Sequence, residues 1–183
     1  MKKILLSIFT VFLLATTVTA QETSDKFAVG LRVGEAWLST FKGSGYYDWG
    51  YNIEASGIIK ISDRNRIELD FGWTDYSDSR YTTNGYVHLS ASFHWYWHIV
   101  AGLGWYVGPS ANLGGWINRY SYLGYTTSDN SFCFGFGGQV GLEYDFKIPL
   151  QLTFDARPTL NFTIPGDPFM MANWFNFGIR YRF

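Results

Sequence analysis

The chain has 183 residues, 14 Lys and Arg against 15 Asp and Glu, a formal charge of −1 and one cysteine. That length holds one domain, the balanced charge argues against nucleic-acid binding, and a single Cys133 excludes an internal disulfide. Aromatic residues make up 20% of the chain and glycine contributes 20 residues, yet the rings alternate with small and charged residues instead of gathering in continuous apolar runs.

The first segment does not belong to the fold. Lys2 and Lys3 precede an almost unbroken apolar stretch over residues 4–15, and Val18 and Ala20 place small residues before a cleavage point at Gln21. This is the pattern of a secretory signal over residues 1–20, with 21–183 as the mature domain. The apolar stretch is shorter than the roughly 20 residues that a spanning helix needs. No Cys follows the cleavage point, which argues against a lipid anchor, and no later segment is apolar enough for a transmembrane helix.

From there the pattern has a period of two residues, the mark of strands with one face unlike the other. Eight runs carry it: 27–37, 49–61, 66–74, 85–95, 99–108, 132–146, 150–160 and 173–183. In the first, Phe27, Val29, Leu31 and Val33 alternate with Ala28, Gly30, Arg32 and Gly34. The second sets Ile53 and Ile59 against Glu54 and Lys60, and the third Ile67, Leu69 and Phe71 against Arg66, Glu68 and Asp70. The fourth and fifth oppose Leu89 and Phe93 to His88, Ser90 and His94, then Leu103 and Trp105 to Gly104 and Tyr106. The sixth opposes Phe134 and Leu142 to Cys133, Gln139, Glu143 and Asp145; the seventh opposes Leu152 and Phe154 to Asp155 and Arg157. The last alternates Phe175, Phe177, Ile179, Tyr181 and Phe183 with Trp174, Asn176, Gly178, Arg180 and Arg182.

Three features decide which face meets which medium. Joins after the even runs are short (62–65, 96–98, 147–149), whereas 38–48, 75–84, 109–131 and 161–172 read as long polar loops. Short turns at one end and long loops at the other are typical of membrane barrels. Aromatics such as Trp37, Trp49 and Trp73 gather toward the long loops, and Trp95, Tyr144 and Phe183 toward the short turns, as two headgroup girdles would.

The small-residue face holds six charges of each sign: Arg32, Lys60, Arg66, Arg157, Arg180 and Arg182 with Glu54, Glu68, Asp70, Glu143, Asp145 and Asp155. A narrow lumen with little room and paired charges explains that mixture, and lipid explains the other face. The expected fold is therefore an all-β, eight-stranded antiparallel up-and-down transmembrane β-barrel, with both termini at the short-turn, periplasmic end. Pairing Ile61 with Ile67 would place Lys60 opposite Glu68. Glu35 is the one charge with outward parity, placed at a bulge or above the hydrocarbon.

The closing run, with Phe177, Ile179, Tyr181 and Phe183 on one face, resembles the terminal strand that marks bacterial outer-membrane barrels for their assembly machinery. The whole mature pattern resembles the small eight-stranded outer-membrane barrels that include outer-membrane protein X and the membrane domain of outer-membrane protein A. The resemblance rests on pattern, not on a shared motif. It implies a bacterial outer-membrane location, contact with outer-membrane lipid and lipopolysaccharide, and those four residues as the assembly signal.

Candidate chemistry is thin. His88 and Ser90 share the inward face of one strand, and some eight-stranded barrels that modify lipid A use His and Ser. The deacylase pattern has Asn directly after its Ser where Ala91 stands, and inward groups do not face lipid, so polar lumen filling is the better account. His94 and His98 lie at the opposite end of the pattern from Cys133, which argues against a metal site. Gly102–Gly104 and Gly135–Gly138 lack the Lys and following helix of a phosphate loop. No catalytic, metal or cofactor residue is expected. Residues 118–125, rich in Tyr, sit in the longest expected loop and offer a surface for an extracellular ligand or for headgroups. The leading expectation is a structural or surface-contact envelope protein with a largely plugged lumen; a narrow solute channel and a lipid A-modifying enzyme are the alternatives.

Overall fold

A computed structural model describes residues 26–40, 47–76, 82–122, 125–164 and 168–183. The expected signal, residues 1–20, lies outside the described residues. Eight strands follow in order: β1 (Phe27–Thr40), β2 (Tyr47–Lys60), β3 (Asn65–Asp75), β4 (Thr82–Val100), β5 (Leu103–Tyr122), β6 (Tyr125–Asp145), β7 (Leu150–Ile164) and β8 (Phe169–Arg182). Each pairs antiparallel with its neighbour, and β1 pairs with β8, so the sheet closes into an eight-stranded up-and-down barrel. Closure leaves no sheet edge, which a structure in lipid requires.

The period-two pattern sorts the side chains as anticipated. Val29, Leu31, Val33, Leu69, Phe71, Phe136 and Phe177 are exposed on the outer wall, while Arg32, Glu54, Glu68, His88 and Arg180 are buried inside. This is inside-out relative to a soluble domain, whose core would be apolar.

Four expectations need correction. The segment 109–131 is not a loop: β5 and β6 run on as a paired hairpin of 20 and 21 residues as far as the pair Tyr122 and Tyr125. Its Thr and Asn content reads as loop, but paired strands need only alternate contacts. The run 161–172 likewise holds the end of β7 and the start of β8. The turn after the fourth run is not Tyr96-Trp97-His98, because β4 continues to Val100. The chain reverses at Ala101 and Gly102, whose φ values of 35° and 86° suit the glycine.

The β2–β3 register also differs from expectation. Lys60 lies opposite Arg66 and Ile58 opposite Glu68. Ser62 and Asn65 clasp a tight turn, with Ser62 N donating to Asn65 O at 3.0 Å and Asn65 N to Ser62 Oγ at 3.1 Å. The register therefore moves by two residues, and the inward set survives because the period is two. The fourth correction is in β8. Val33 pairs with Phe177 but Ala36 with Asn173, so β8 carries one extra residue and its parity flips. Asn173 is consequently buried beside Asn176, and Met171 and Phe169 turn inward above it.

Candidate functional site

The lumen is layered along its axis. Its middle is a belt of ions from the inward rows of β1, β2, β3, β6, β7 and β8. Arg32 of β1 is fully buried and spans four carboxylates. Its Nη1 lies 2.6 Å from Glu68 Oε1, 2.9 Å from Asp70 Oδ2 and 3.2 Å from Glu54 Oε2, while Nη2 bonds Asp155. Arg157 of β7 reaches across to Asp70 Oδ2 at 2.6 Å and bonds Glu54. Arg180 of β8 meets Glu68 at 2.8 Å and donates to Ser56 Oγ at 2.9 Å. Arg66 pairs with Glu143 at 2.5 Å and stacks its guanidinium over the Tyr106 ring, 4.4 Å from the centroid.

Planar, forked guanidiniums suit this task because one Arg can serve several carboxylates at once. Neutral groups complete the belt. Tyr106 OH donates to Asp155 at 3.0 Å, Gln139 Nε2 to Glu68 at 3.3 Å, and Asn173 Nδ2 to Glu54 at 3.3 Å. A glycine makes part of the meeting possible. Gly72 sits between Glu54 and His88 on neighbouring strands, and a Cβ there would come within 2.7 Å of both side chains. With hydrogen in that place, His88 Nε2 approaches Glu54 Oε1 to 2.9 Å.

Nine of the twelve charges picked from sequence thus form one buried cluster. Lys60, Asp145 and Arg182 do not join it. They stand at the short-turn mouth, where Arg182 meets Asp145 at 3.5 Å and donates to the Phe146 and Ile148 carbonyls. There Lys60, Arg66, Tyr96, His98, Glu143 and Asp145 border a recess of about 150 Å³.

Above the belt lies a layer that the sequence reading missed. Ala36, Leu38, Tyr76, Tyr86, Cys133, Phe169 and Met171 form a buried apolar cluster inside the lumen, with Trp116 packed against it. The Tyr86 and Trp116 rings pack tilted at 5.1 Å and those of Trp116 and Phe169 edge-on at 5.7 Å between centroids. The missing signal was strand continuation: Trp116, Phe169 and Met171 lay in stretches read as loops, and the β8 bulge hid the inward parity of the last two.

The residues weighed for chemistry fall into these layers. His88 contacts Glu54 and stacks on Tyr86, and Ser90 is buried one inward position further along β4. His94 packs on Tyr106 and bonds Gln139 at 3.1 Å. His98 is at the mouth beside Tyr96, and Cys133 is in the apolar layer, 3.5 Å from Thr163 Oγ1. Phe177, Ile179 and Tyr181 form an exposed outward row on β8, and Phe183 packs edge-on against Tyr181.

A closed barrel with greasy walls and an ionic interior defines the class: an integral, membrane-spanning protein of the bacterial outer membrane. Residues 7–183 match the model of the outer membrane protein beta-barrel domain, and the chain belongs to that family. Among solved structures it is similar to Neisserial surface protein A, with a TM-score of 0.67 at 18% identity over 88% of this chain and 100% of that one. The N-terminal β-barrel domain of Pseudomonas aeruginosa OprF gives a TM-score of 0.53 at 16% identity, over 88% of this chain and 100% of that one. Ail, the attachment invasion locus protein of Yersinia pestis, gives 0.51 at 16% identity, over 86% and 99%. At these identities the likeness is one of fold. A search of curated proteins found no match.

Proposed function

We propose that this protein is a non-enzymatic, non-conducting envelope barrel whose closed lumen stabilises it and whose long β5–β6 hairpin meets the cell's surroundings. The observation that carries the reading is the doubly filled lumen. A belt of charges 3% or less exposed lies beneath a buried aromatic and aliphatic layer against which half-buried Trp116 packs. An ion crossing it would have to displace salt bridges and then pass an apolar constriction.

In planar bilayers, the purified protein is expected to give no stepwise current above background, and its expression is expected to leave the lipid A acyl number unchanged. Resolved conductance steps would establish the channel reading instead. A changed lipid A mass spectrum that His88→Ala abolishes in a folded protein would establish the enzyme.

Support for the surface role comes from height. The last outward apolar residue of β5 described as exposed is Ile117, and the strand runs five residues further to Tyr122. At about 3.3 Å per residue along a strand tilted by about 40°, the hairpin stands roughly 12 Å above that level. We place this end outside the cell and both termini in the periplasm, with lipopolysaccharide around the upper wall. The outward row of Phe177, Ile179, Tyr181 and Phe183 is offered to the assembly machinery from the strand that closes the barrel. The lumen charges act as the interior framework. In intact cells, a cysteine placed by Thr126→Cys, opposite Ser121 near the tip of the hairpin, is expected to react with a membrane-impermeant maleimide, and one placed by Ser62→Cys only after lysis. Native Cys133 is buried and should stay silent in both. The reverse labelling would invert the topology.

A further inference from the structure

At the short-turn mouth two like charges face each other. Lys60 of β2 is the direct cross-strand partner of Arg66 of β3, and both border the recess of about 150 Å³. Like charges placed directly opposite destabilise a sheet, so the arrangement calls for an anion between them. The chain supplies only part of one. Arg66 donates from Nη1 to Glu143 at 2.5 Å and from Nε to His94 at 3.3 Å, and its Nη2 is buried without a hydrogen-bond partner. The Lys60 side chain has no ion-pair or hydrogen-bond partner among the described residues. The acids that border the recess are engaged elsewhere. Glu143 is held by Arg66, and Asp145 by Arg182 at 3.5 Å and by Gln151 Nε2 at 3.0 Å. Asp63 is exposed on the turn next to Arg64, an exposed charge of the opposite sign. What the recess leaves unused is therefore donors and positive charge.

We propose that this recess binds a phosphate group. Its inner end is the Arg66 guanidinium, which lies 5.1 Å from the Tyr96 ring centroid and 4.4 Å from that of Tyr106. With Nη1 and Nε already committed, Arg66 offers one donor and not the parallel pair that a planar carboxylate takes. Lys60 adds a point charge on a flexible stem. Tyr96 adds a hydroxyl whose one contact is the long one to His98 Nδ1 at 3.4 Å. Single donors arriving from separate strands suit a tetrahedral oxyanion, which presents acceptors in every direction. The recess has space for about five waters, so a phosphate enters and its ester chain trails out of the mouth. Behind Arg66 stand the buried charges of the belt, and the ligand stops there. Two sources carry the group to such a mouth: a soluble phosphate ester, and a phospholipid headgroup reaching over the rim.

The test is phosphorus NMR of glycerol phosphate titrated with the folded, full-length barrel in a phosphate-free sugar detergent. The wild-type protein is expected to shift and broaden the phosphorus line saturably. Lys60→Gln should weaken binding about tenfold, and Tyr96→Phe, which keeps the ring beside Arg66, about threefold. Lys147→Gln removes an exposed charge at the same end and should leave the affinity unchanged. Glycerate, a carboxylate of similar size, should compete far less well than inorganic phosphate. Heat-modifiable gel migration checks that each variant is folded. A wild-type line that never saturates would overturn the proposal, as would an undiminished affinity in Lys60→Gln. An equal loss in Lys147→Gln would reduce the effect to diffuse attraction, and competition by glycerate as strong as by phosphate would remove the assigned chemistry. Phosphatidylglycerol added to the micelles then separates the sources: displacement of the soluble ester assigns a lipid headgroup, and its retention assigns a soluble phosphate.

Discussion

Arg32→Met is expected to be the most damaging single change in the lumen, lowering the free energy of unfolding by about 3–5 kcal/mol. Arg32 is shared by Glu54, Glu68, Asp70 and Asp155, all of them buried. Removing it leaves Asp155 with Tyr106 and Asn176 as its neighbours, and leaves Glu68 to Arg180, Gln139 and the edge of His94. Methionine fills much of the volume, so the loss reports charge and not a cavity.

The measurement is a urea titration of the barrel in lipid vesicles, followed by heat-modifiable migration. Lys60→Met is the reference. Lys60 stands half-buried at the open mouth opposite Arg66, and a charge at a water-filled mouth contributes at most about 1 kcal/mol. The two losses should also differ with pH. As pH falls and carboxylates take up protons, the uncompensated negative charge in Arg32→Met disappears, so its deficit against wild type should shrink. Adding Asp70→Asn and Asp155→Asn should recover part of the loss at neutral pH, since neutral amides do not require a cation. If Arg32→Met costs no more than Lys60→Met, the ion belt is not what holds the lumen together.

How much of this belt was legible follows from what each signal measures. Parity along a strand is local, so the inward position of Arg32, Glu68, Asp155 or Arg180 could be read from two or three neighbours. Partner identity is not local. Arg32 meets Asp155, more than a hundred residues away, only because β1 and β7 both flank β8 in the closed sheet. Register is intermediate: hydrophobic pairing of Ile61 with Ile67 preserved parity but missed the clasp at Ser62 and Asn65, which sets Lys60 against Arg66 instead of Glu68. The apolar layer escaped for a further reason. Trp116, Phe169 and Met171 sit among Gly, Asn and Pro, and those residues suggest a loop when no partner strand is known. The bulge in β8 then exchanged the faces of Asn173 and Met171 relative to simple alternation.

Sidedness is the premise under every functional statement, and Leu69→Arg tests it directly. The outward row of β3 is Ile67, Leu69, Phe71 and Trp73, and Leu69 lies near its centre, 45% exposed. Its cross-strand partners are Gly57 and Ala91, which offer no carboxylate to an incoming guanidinium. In lipid the substitution is expected to cost about 2–4 kcal/mol, whereas Ile99→Arg, at the β4 end beside the turn, should cost about 0–1 kcal/mol. Both leucine and isoleucine here are similarly exposed, so burial within the protein predicts equal effects and only depth in the bilayer predicts a difference. The comparison therefore separates the solvent from the fold. Water around the wall would make both changes nearly neutral, within about 0.5 kcal/mol. Acyl chains around it would make the central one several times worse than the peripheral one, because a long side chain near the turn can lift its charge to the headgroups and one at Leu69 cannot.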